Sequence, residues 1–295
     1  MRKMYLGIVL LLVASVAGAQ QNFDAVQIKA EKVGGTVYML VGAGGNIGAS
    51  VGEDGIVIVD DQYAPLAPKI LDALKAISDK PIKFILNTHF HGDHTGGNEI
   101  LGRTAPIVAH TNVRNRLKSG MTMPGREVPP APKSALPIVT FDAGLTLHVN
   151  GEDIRAIHYP SGHTDGDAVI WFTQSNVVHM GDDFFNGMFP FVDIDSGGSV
   201  RGMMRAVDKV LATVPDDAKI IPGHGPLADK AALRAYAEML RGTSAAVQAA
   251  IKAGKTVDQA KAQKVLAKWE KMSWRIISTD AFTEVLYREY APKKK

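Results

Sequence analysis

The chain has 295 residues and a mass of 31.6 kDa, with 46% hydrophobic and 21% charged residues, a balance that excludes disorder and collagen-like repeats and describes a folded globular protein. Its formal charge is +3, which falls to +1 without Arg2 and Lys3, so no general electrostatic drive toward nucleic acid exists. There is no cysteine, which rules out disulfides, thiolate metal ligands, iron–sulfur clusters and a Cys nucleophile.

The N-terminus places Arg2 and Lys3 before an apolar run from Tyr5 to Val16, then small residues at Ala17 and Ala19. That layout predicts a secretory signal peptide over residues 1–19, cleaved after Ala19, because a dozen apolar residues fall short of the roughly 20 a spanning helix needs. The expected product, residues 20–295, is a single domain with a core over about 26–240 and a C-terminal helical extension over 241–295, periplasmic or secreted, with no stable membrane insertion.

In chain order, β-branched runs at Thr36–Val41, Asn46–Gly52 and Gly55–Asp60 predict strands of one sheet. A helical pattern over Ala67–Ile77 precedes an apolar strand, Ile82–Leu86, and a second strand and helix follow at Pro106–His110 and Asn112–Lys118. Residues 120–137 hold five prolines and read as an irregular surface loop. Strands resume at Ile138–Asp142, Leu145–Val149, Ile154–Tyr159, Ala168–Thr173 and Val177–Met180. A helix over Val200–Val214, a short strand at Lys219–Pro222, and helices over Asp229–Ala253 and Asp280–Tyr290 complete the pattern. Both halves run strands first and helices afterwards, which suggests two similar β-rich layers flanked by helices; the Lys293–Lys295 tail reads as a solvated end.

Five of the nine histidines, His89, His91, His94, His163 and His224, stand beside Gly, Asp or Thr at predicted strand ends, where side chains converge on a site. His110, His148, His158 and His179 lie within or beside apolar runs and read as structural. The strongest signal is His89-x-His91-x-Asp93-His94, three imidazoles and a carboxylate within six residues on a loop leaving a strand. In extended chain His89 and His91 point the same way, and beyond the Gly92 turn Asp93 and His94 face a second position, so one loop can begin two metal sites. Zinc takes about four ligands, so partners from elsewhere are required, and His163, Asp182 and His224, each next to glycine after a predicted strand, are the candidates.

With these elements the sequence resembles the metallo-β-lactamase superfamily over about Val26 to Leu240, through the strand ending at Asp60, the His89–His94 motif, Ser161-Gly-His163-Thr164, Met180-Gly-Asp182-Asp183 and Pro222-Gly-His224-Gly225. The resemblance implies an α/β fold, a four-layer αβ/βα sandwich with metals at one edge of two sheets. It implies that His89, His91 and His163 hold one zinc ion, that Asp93, His94 and His224 hold a second, that Asp182 bridges them, and that Asp60 orients a ligand from behind. Two Zn2+ ions sharing a hydroxide then act as nucleophile and Lewis acid, with Asp93 as the catalytic residue that orients or deprotonates the water.

The export signal and the stretch around Asp182 look most similar to periplasmic β-lactamase-like members. The chain departs from zinc β-lactamases that use a Cys ligand, since Asp182 stands there, and their substrate-gripping Lys three residues later is Phe185. The expected protein is thus an exported dinuclear zinc hydrolase that opens a cyclic amide or ester of a small-molecule substrate, with weak β-lactam activity. Phe184 and Phe185 are expected in the substrate-pocket wall, with Phe189 and Phe191 as further candidates. A lactonase or thioesterase type of hydrolase, an iron-dependent persulfide dioxygenase and a non-enzymatic secreted metal-binding module are the alternatives.

Overall fold

The computed structural model describes residues 22–123 and 126–292; the expected signal peptide and the terminal residues 293–295 lie outside them. Fifteen strands are described. One sheet contains β1 (Lys29–Gly34), β2 (Val37–Val41), β3 (Ile47–Gly52), β4 (Gly55–Val59), β5 (Ile82–Leu86), β6 (Ile107–His110) and β9 (Val139–Phe141), in that spatial order. The other contains β10 (Gly144–Val149), β11 (Glu152–His158), β12 (Ala168–Phe172), β13 (Val177–His179), β14 (Lys219–Ile221) and β15 (Ala228–Asp229). Each sheet begins as an antiparallel meander and then pairs in parallel, β4–β5–β6–β9 in the first and β13–β14 in the second.

The period of two along β4 explains the layering. Val57 and Val59 point between the sheets, where they meet Ile154, Ala156, Ile170, Phe172 and Ile221 of the second sheet. Ile56 and Ile58 point outward under α1 (Ala67–Lys75) with Leu66, Ile70 and Leu74. The second sheet's outer face is covered by α5 (Val200–Thr213), α6 (Lys230–Lys252) and α8 (Thr279–Tyr290), where Val178, Val207, Leu240 and Phe282 share one core. The order helix, sheet, sheet, helix is the αβ/βα sandwich. Among the described residues no helix is long and apolar enough to cross a membrane.

Helix ends follow the side-chain chemistry of their first residues. Ser199 and Asp229 lie just outside α5 and α6 and accept hydrogen bonds from the backbone N–H of Gly202 and Ala232, satisfying donors that have no partner inside the helix. The helix expected from Asp229 therefore starts at Lys230.

Three expectations are corrected. Residues 120–137 are not wholly irregular: β7 (Met121–Met123) and β8 (Arg126–Val128) form a hairpin of their own, with Pro124 outside the described residues. The boundary at residue 240 falls inside α6, and Val247, Leu266, Phe282 and Leu286 beyond it join the core built by α5 and α6. Finally, β1 precedes the first expected strand; its sequence KAEKVG is mostly exposed because it is an edge strand, where lysines discourage pairing with other chains.

Candidate metal centre

Every candidate ligand leaves the C-terminal end of a strand at the same edge of the sandwich, where loops from different strands converge. His89, His91, Asp93 and His94 follow β5, His163 follows β11, Asp182 follows β13 and His224 follows β14. The chain turns at His91, which keeps extended dihedrals, into α2 (Gly92–Thr95), so Asp93 and His94 come from a first helical turn.

Two groups of donors result. Ligand atoms of His89, His91, His163 and Asp182 lie within 4.8 Å of one another, as do those of Asp93, His94 and His224. Asp182 sits between the groups: its Oδ1 is 3.1 Å from His94 Nε2 and 3.4 Å from His224 Nε2, while its Oδ2 is 3.5 Å from His163 Nε2 and 3.9 Å from His89 Nε2. Gly223 makes room for it, since a Cβ there would stand 2.1 Å from Asp182 Oδ1.

The outer hydrogen bonds assign a proton to each ring, and so decide which nitrogen faces inward. Asp60 Oδ1 accepts from the Thr88 backbone N–H at 2.8 Å, and its Oδ2 accepts both the Thr88 hydroxyl at 2.7 Å and His94 Nδ1–H at 2.7 Å. Having donated its hydrogen to Asp60, Thr88 Oγ1 accepts from His89 Nδ1–H at 3.1 Å. His163 Nδ1–H donates to the Phe191 carbonyl at 2.8 Å, and His91 Nε2–H donates to Asp193 Oδ2 at 3.0 Å.

In their neutral forms, four rings therefore present lone pairs to the interior: His89 Nε2, His94 Nε2, His163 Nε2 and His91 Nδ1. The last two face each other at 2.8 Å, and buried His89 Nε2 has no hydrogen-bond partner. Opposed lone pairs and an orphaned buried acceptor are unfavourable unless a cation or a proton lies between them. The donor set, five imidazoles and two carboxylates without sulfur, fits divalent metal ions.

Charge follows the same geometry. Burial pushes His89 well below the ordinary histidine range and His163 down to about 4. Burial also opposes protonation of His94 and His224, but carboxylates overcome it: Asp182, Asp93 and Asp60 hold His94 well above the ordinary range, and Asp182 lifts His224 to about 9. Asp182 is held well below the carboxylate range, and Asp93 at about 2, because the surrounding imidazoles outweigh the desolvation that would raise them. The centre is thus an anionic pair of carboxylates in a cage of imidazoles.

Asp60 combines its three hydrogen bonds with full burial and a backbone φ of 63°, a left-handed conformation that Asp tolerates and β-branched residues do not. Asp60→Ala strands Thr88 N–H and His94 Nδ1–H in the interior, at an expected cost of about 2–4 kcal/mol in stability. Metal affinity should fall about 10–100-fold, measurable by chelator competition. Unchanged affinity would reduce Asp60 to a residue that ends a strand.

Several supporting residues are not among the expected site residues. Asp193 takes His91 Nε2–H on Oδ2 and the Ser196 backbone N–H on Oδ1, and these bonds, against the opposing effect of burial, hold its carboxyl at about 2. Asp183 accepts from the His163 backbone N–H, and Asp167 accepts from Thr164 N–H and Oγ1–H, so two buried carboxyls pin the loop that carries His163. Asp193→Ala should release His91 and weaken one metal about 10–100-fold, whereas Asp193→Asn keeps an acceptor and much of the affinity. Equal losses in both variants would show that charge, and not ring orientation, is the contribution.

The expected pocket wall is corrected. Phe184 is fully buried and packs on Tyr236 at a ring separation of 5.1 Å, away from the cleft. Phe185 is 1% exposed and stacks on His224 at 5.1 Å with an 18° tilt, so it supports a ligand from behind. Phe189 is buried against Phe282; of the four only Phe191 is not fully buried, and it stands 5.8 Å from both His91 and His163. Of the four histidines read as structural, His110 caps α4 (Thr111–Ser119) and stacks on His158, His179 donates to the Asn46 carbonyl, and His148 meets Asp153.

Comparison with known proteins agrees with this geometry. The family model described as the metallo-beta-lactamase superfamily matches residues 39–224. The chain is 27% identical over 186 residues to a probable metallo-hydrolase, YqgX, of Bacillus subtilis, a match covering 59% of this chain and 84% of that protein. It is 27% identical over 170 residues to metallo-beta-lactamase type 2 of Bacteroides fragilis, covering 57% of this chain and 61% of the relative. Among solved structures, a metallo-beta-lactamase from Pontibacter korlensis superposes with a TM-score of 0.61 at 18% identity, over 73% of this chain and 99% of that one. The matched span runs from β2 through His224 and so contains all seven ligand candidates and Asp60: the chain belongs to the metallo-β-lactamase superfamily and carries that superfamily's kind of His/Asp metal-binding cluster.

Proposed function

We propose that the protein is an exported dinuclear zinc hydrolase that opens a carbonyl-centred bond, in an ester, lactone or cyclic amide, of a small-molecule substrate. The observation that carries this reading is the position of Asp182, one carboxylate shared between two complete donor groups. His89, His91 and His163 would hold one ion, and Asp93, His94 and His224 the other. Two divalent ions bound there supply a nucleophile at neutral pH, by lowering the pKa of water, and a Lewis acid for the scissile carbonyl.

The chain's own groups do the rest. Asp60, Thr88, Asp193 and the Phe191 carbonyl hold four rings in the orientations described, so no reorganisation is needed when the donors are used. Asp93 is the most exposed of the ligand candidates, with its side chain 25% accessible, which suits it to orient the attacking water or to take its proton. The second donor group also favours this reading over a single-iron dioxygenase.

Phe185 stands where the resemblance to zinc β-lactamases calls for a Lys, and its buried ring behind His224 supplies no cation to a substrate carboxylate, so β-lactam turnover is proposed to be weak beside that of esters or lactones. The +1 balance outside residues 1–19 favours neither nucleic acid nor a membrane surface as partner, and the N-terminal layout supports a periplasmic or secreted location. Metal analysis of the purified protein, combined with a screen of nitrophenyl esters, lactones and a chromogenic β-lactam, tests the proposal. Two equivalents of zinc, with turnover lost on chelation and restored by zinc, are expected. One equivalent of iron with oxygen uptake, or no metal-dependent turnover, would replace it with the dioxygenase or the non-enzymatic reading.

A further inference from the structure

The segment beyond α6 lies outside the span shared with the superfamily, yet one of its side chains reaches the metal centre. Trp274 stands in the loop between the 3-10 helix Ala267–Met272 and α8. Its indole N–H donates to the Phe189 carbonyl at 2.9 Å, its backbone N–H donates to the Ile277 carbonyl at 3.0 Å, and Phe189 N–H donates to the Met272 carbonyl at 2.9 Å. The two bonds with Phe189 stitch the loop to the segment between Asp182 and Asp193, and the bond to Ile277 closes the loop on itself. They hold the indole 6.4 Å from the His224 ring and 6.2 Å from Phe185.

Trp274 is only partly buried, and the same loop leaves Ile276 52% exposed. At the other donor group the partly buried ring of Phe191 stands 5.8 Å from His91 and from His163. The seven donors are thus flanked by an aromatic ring at each end. Among the described residues, no Lys or Arg makes an ion pair with any of the seven, and Arg116, which lies toward the Asp193 side, is paired with Asp165 at 2.7 Å.

We infer that Trp274 and Phe191 form an apolar rim that selects substrates with a neutral hydrocarbon group, aryl or extended acyl, beside the hydrolysed bond. A charged or strongly hydrated flank would lose its water against two rings, neither of which offers it a charged partner. An aryl or alkyl flank gains dispersion contact and apolar burial, with stacking on the indole for the aryl case. The inference rests on the hydrolase reading for the identity of the bond, and on the ring positions for the identity of the flank. Since Trp274 comes from outside residues 39–224, this preference belongs to the C-terminal extension and not to the shared superfamily span.

The test compares nitrophenyl acetate, hexanoate and phenylacetate as substrates of the zinc-loaded protein. Wild type should prefer the phenylacetate and hexanoate, and Trp274→Ala should reduce that preference, as a ratio of kcat/KM values to acetate, by roughly tenfold, mainly through KM. Trp274→Phe should retain most of the preference, and Trp269→Phe, which alters a tryptophan packed over Gly242 of α6, should leave the ratio at the wild-type value. Bound metal should stay the same in all three variants. A ratio unaltered in Trp274→Ala, with metal content intact, overturns the inference. Should wild type hydrolyse none of the esters, the hydrolase reading fails separately, and calorimetric binding of phenylacetate against acetate decides the rim. Tighter phenylacetate binding that is lost in Trp274→Ala upholds it, and equal affinity for the two anions in wild type overturns it.

Discussion

Replacing Asp182 with alanine is expected to lower bound metal clearly below two equivalents and to reduce turnover by more than about a thousandfold, the scale on which an activated water is lost. The side chain is 5% exposed, and its two oxygens lie 3.1–3.9 Å from four imidazole nitrogens divided between the two donor groups. Among the seven candidates only Asp93 and Asp182 carry negative charge, and Asp93 belongs to one group alone. Without Asp182, the group of His89, His91 and His163 would be wholly neutral, and a dication there would lack any anionic ligand. Asp182→Asn separates charge from shape, since it keeps the size and one acceptor oxygen. It should lose most of the metal while preserving the fold. Elemental analysis gives stoichiometry, and the rise in Tm on adding zinc gives affinity through mass action. Two retained equivalents with near-normal rate would remove Asp182 from the centre and undermine the dinuclear proposal.

The legibility of the centre in the sequence follows from how far apart its parts lie. His89, His91, Asp93 and His94 are crowded into six residues, and strand periodicity plus one glycine turn suffices to aim them. His163, Asp182 and His224 are scattered, but each follows a strand and abuts a glycine, and Gly223 shows why: any larger residue would collide with Asp182. Asp193 had no such signal. It lies 102 residues from His91 in a stretch rich in glycine, serine and aspartate, and only the folded chain brings the two together at 3.0 Å. The fold is legible on the same physical grounds. Apolar strands buried on both faces, such as GIVIV in β4, declare themselves by composition, whereas the exposed edge strand β1 and the short α7 (Val257–Ala262) hold too few apolar residues to show a period.

Burial of the aromatic residues after Asp182 was the least legible feature, because a 3-10 turn at Gly181–Asp183 and a β-bridge from Phe185 to His224 interrupt any simple alternation. It also yields the second large effect. If Phe185 lined the cleft, Phe185→Lys would supply a cation for carboxylate-bearing substrates and lower their KM. In the folded protein the ring is 1% exposed, stacked on His224 and 6.1 Å from His163, both of them metal-ligand candidates. An ammonium group placed there would be buried between His224 and His163 and, with divalent ions bound, would stand beside like charge. The expected result is a loss of about 3–5 kcal/mol, the usual cost of an uncompensated buried charge, with a fall in Tm of roughly 6–20 °C for a domain of this size. Bound zinc should fall as well, since His224 loses the ring that backs it. Phe185→Leu sets the comparison: it keeps apolar volume and loses the stacking, at about 1–1.5 kcal/mol. Thermal melts and elemental analysis of the two variants decide the matter, and a Phe185→Lys protein with unchanged Tm, full metal and a lowered KM for carboxylate-bearing β-lactams would place the 185 side chain in the cleft after all.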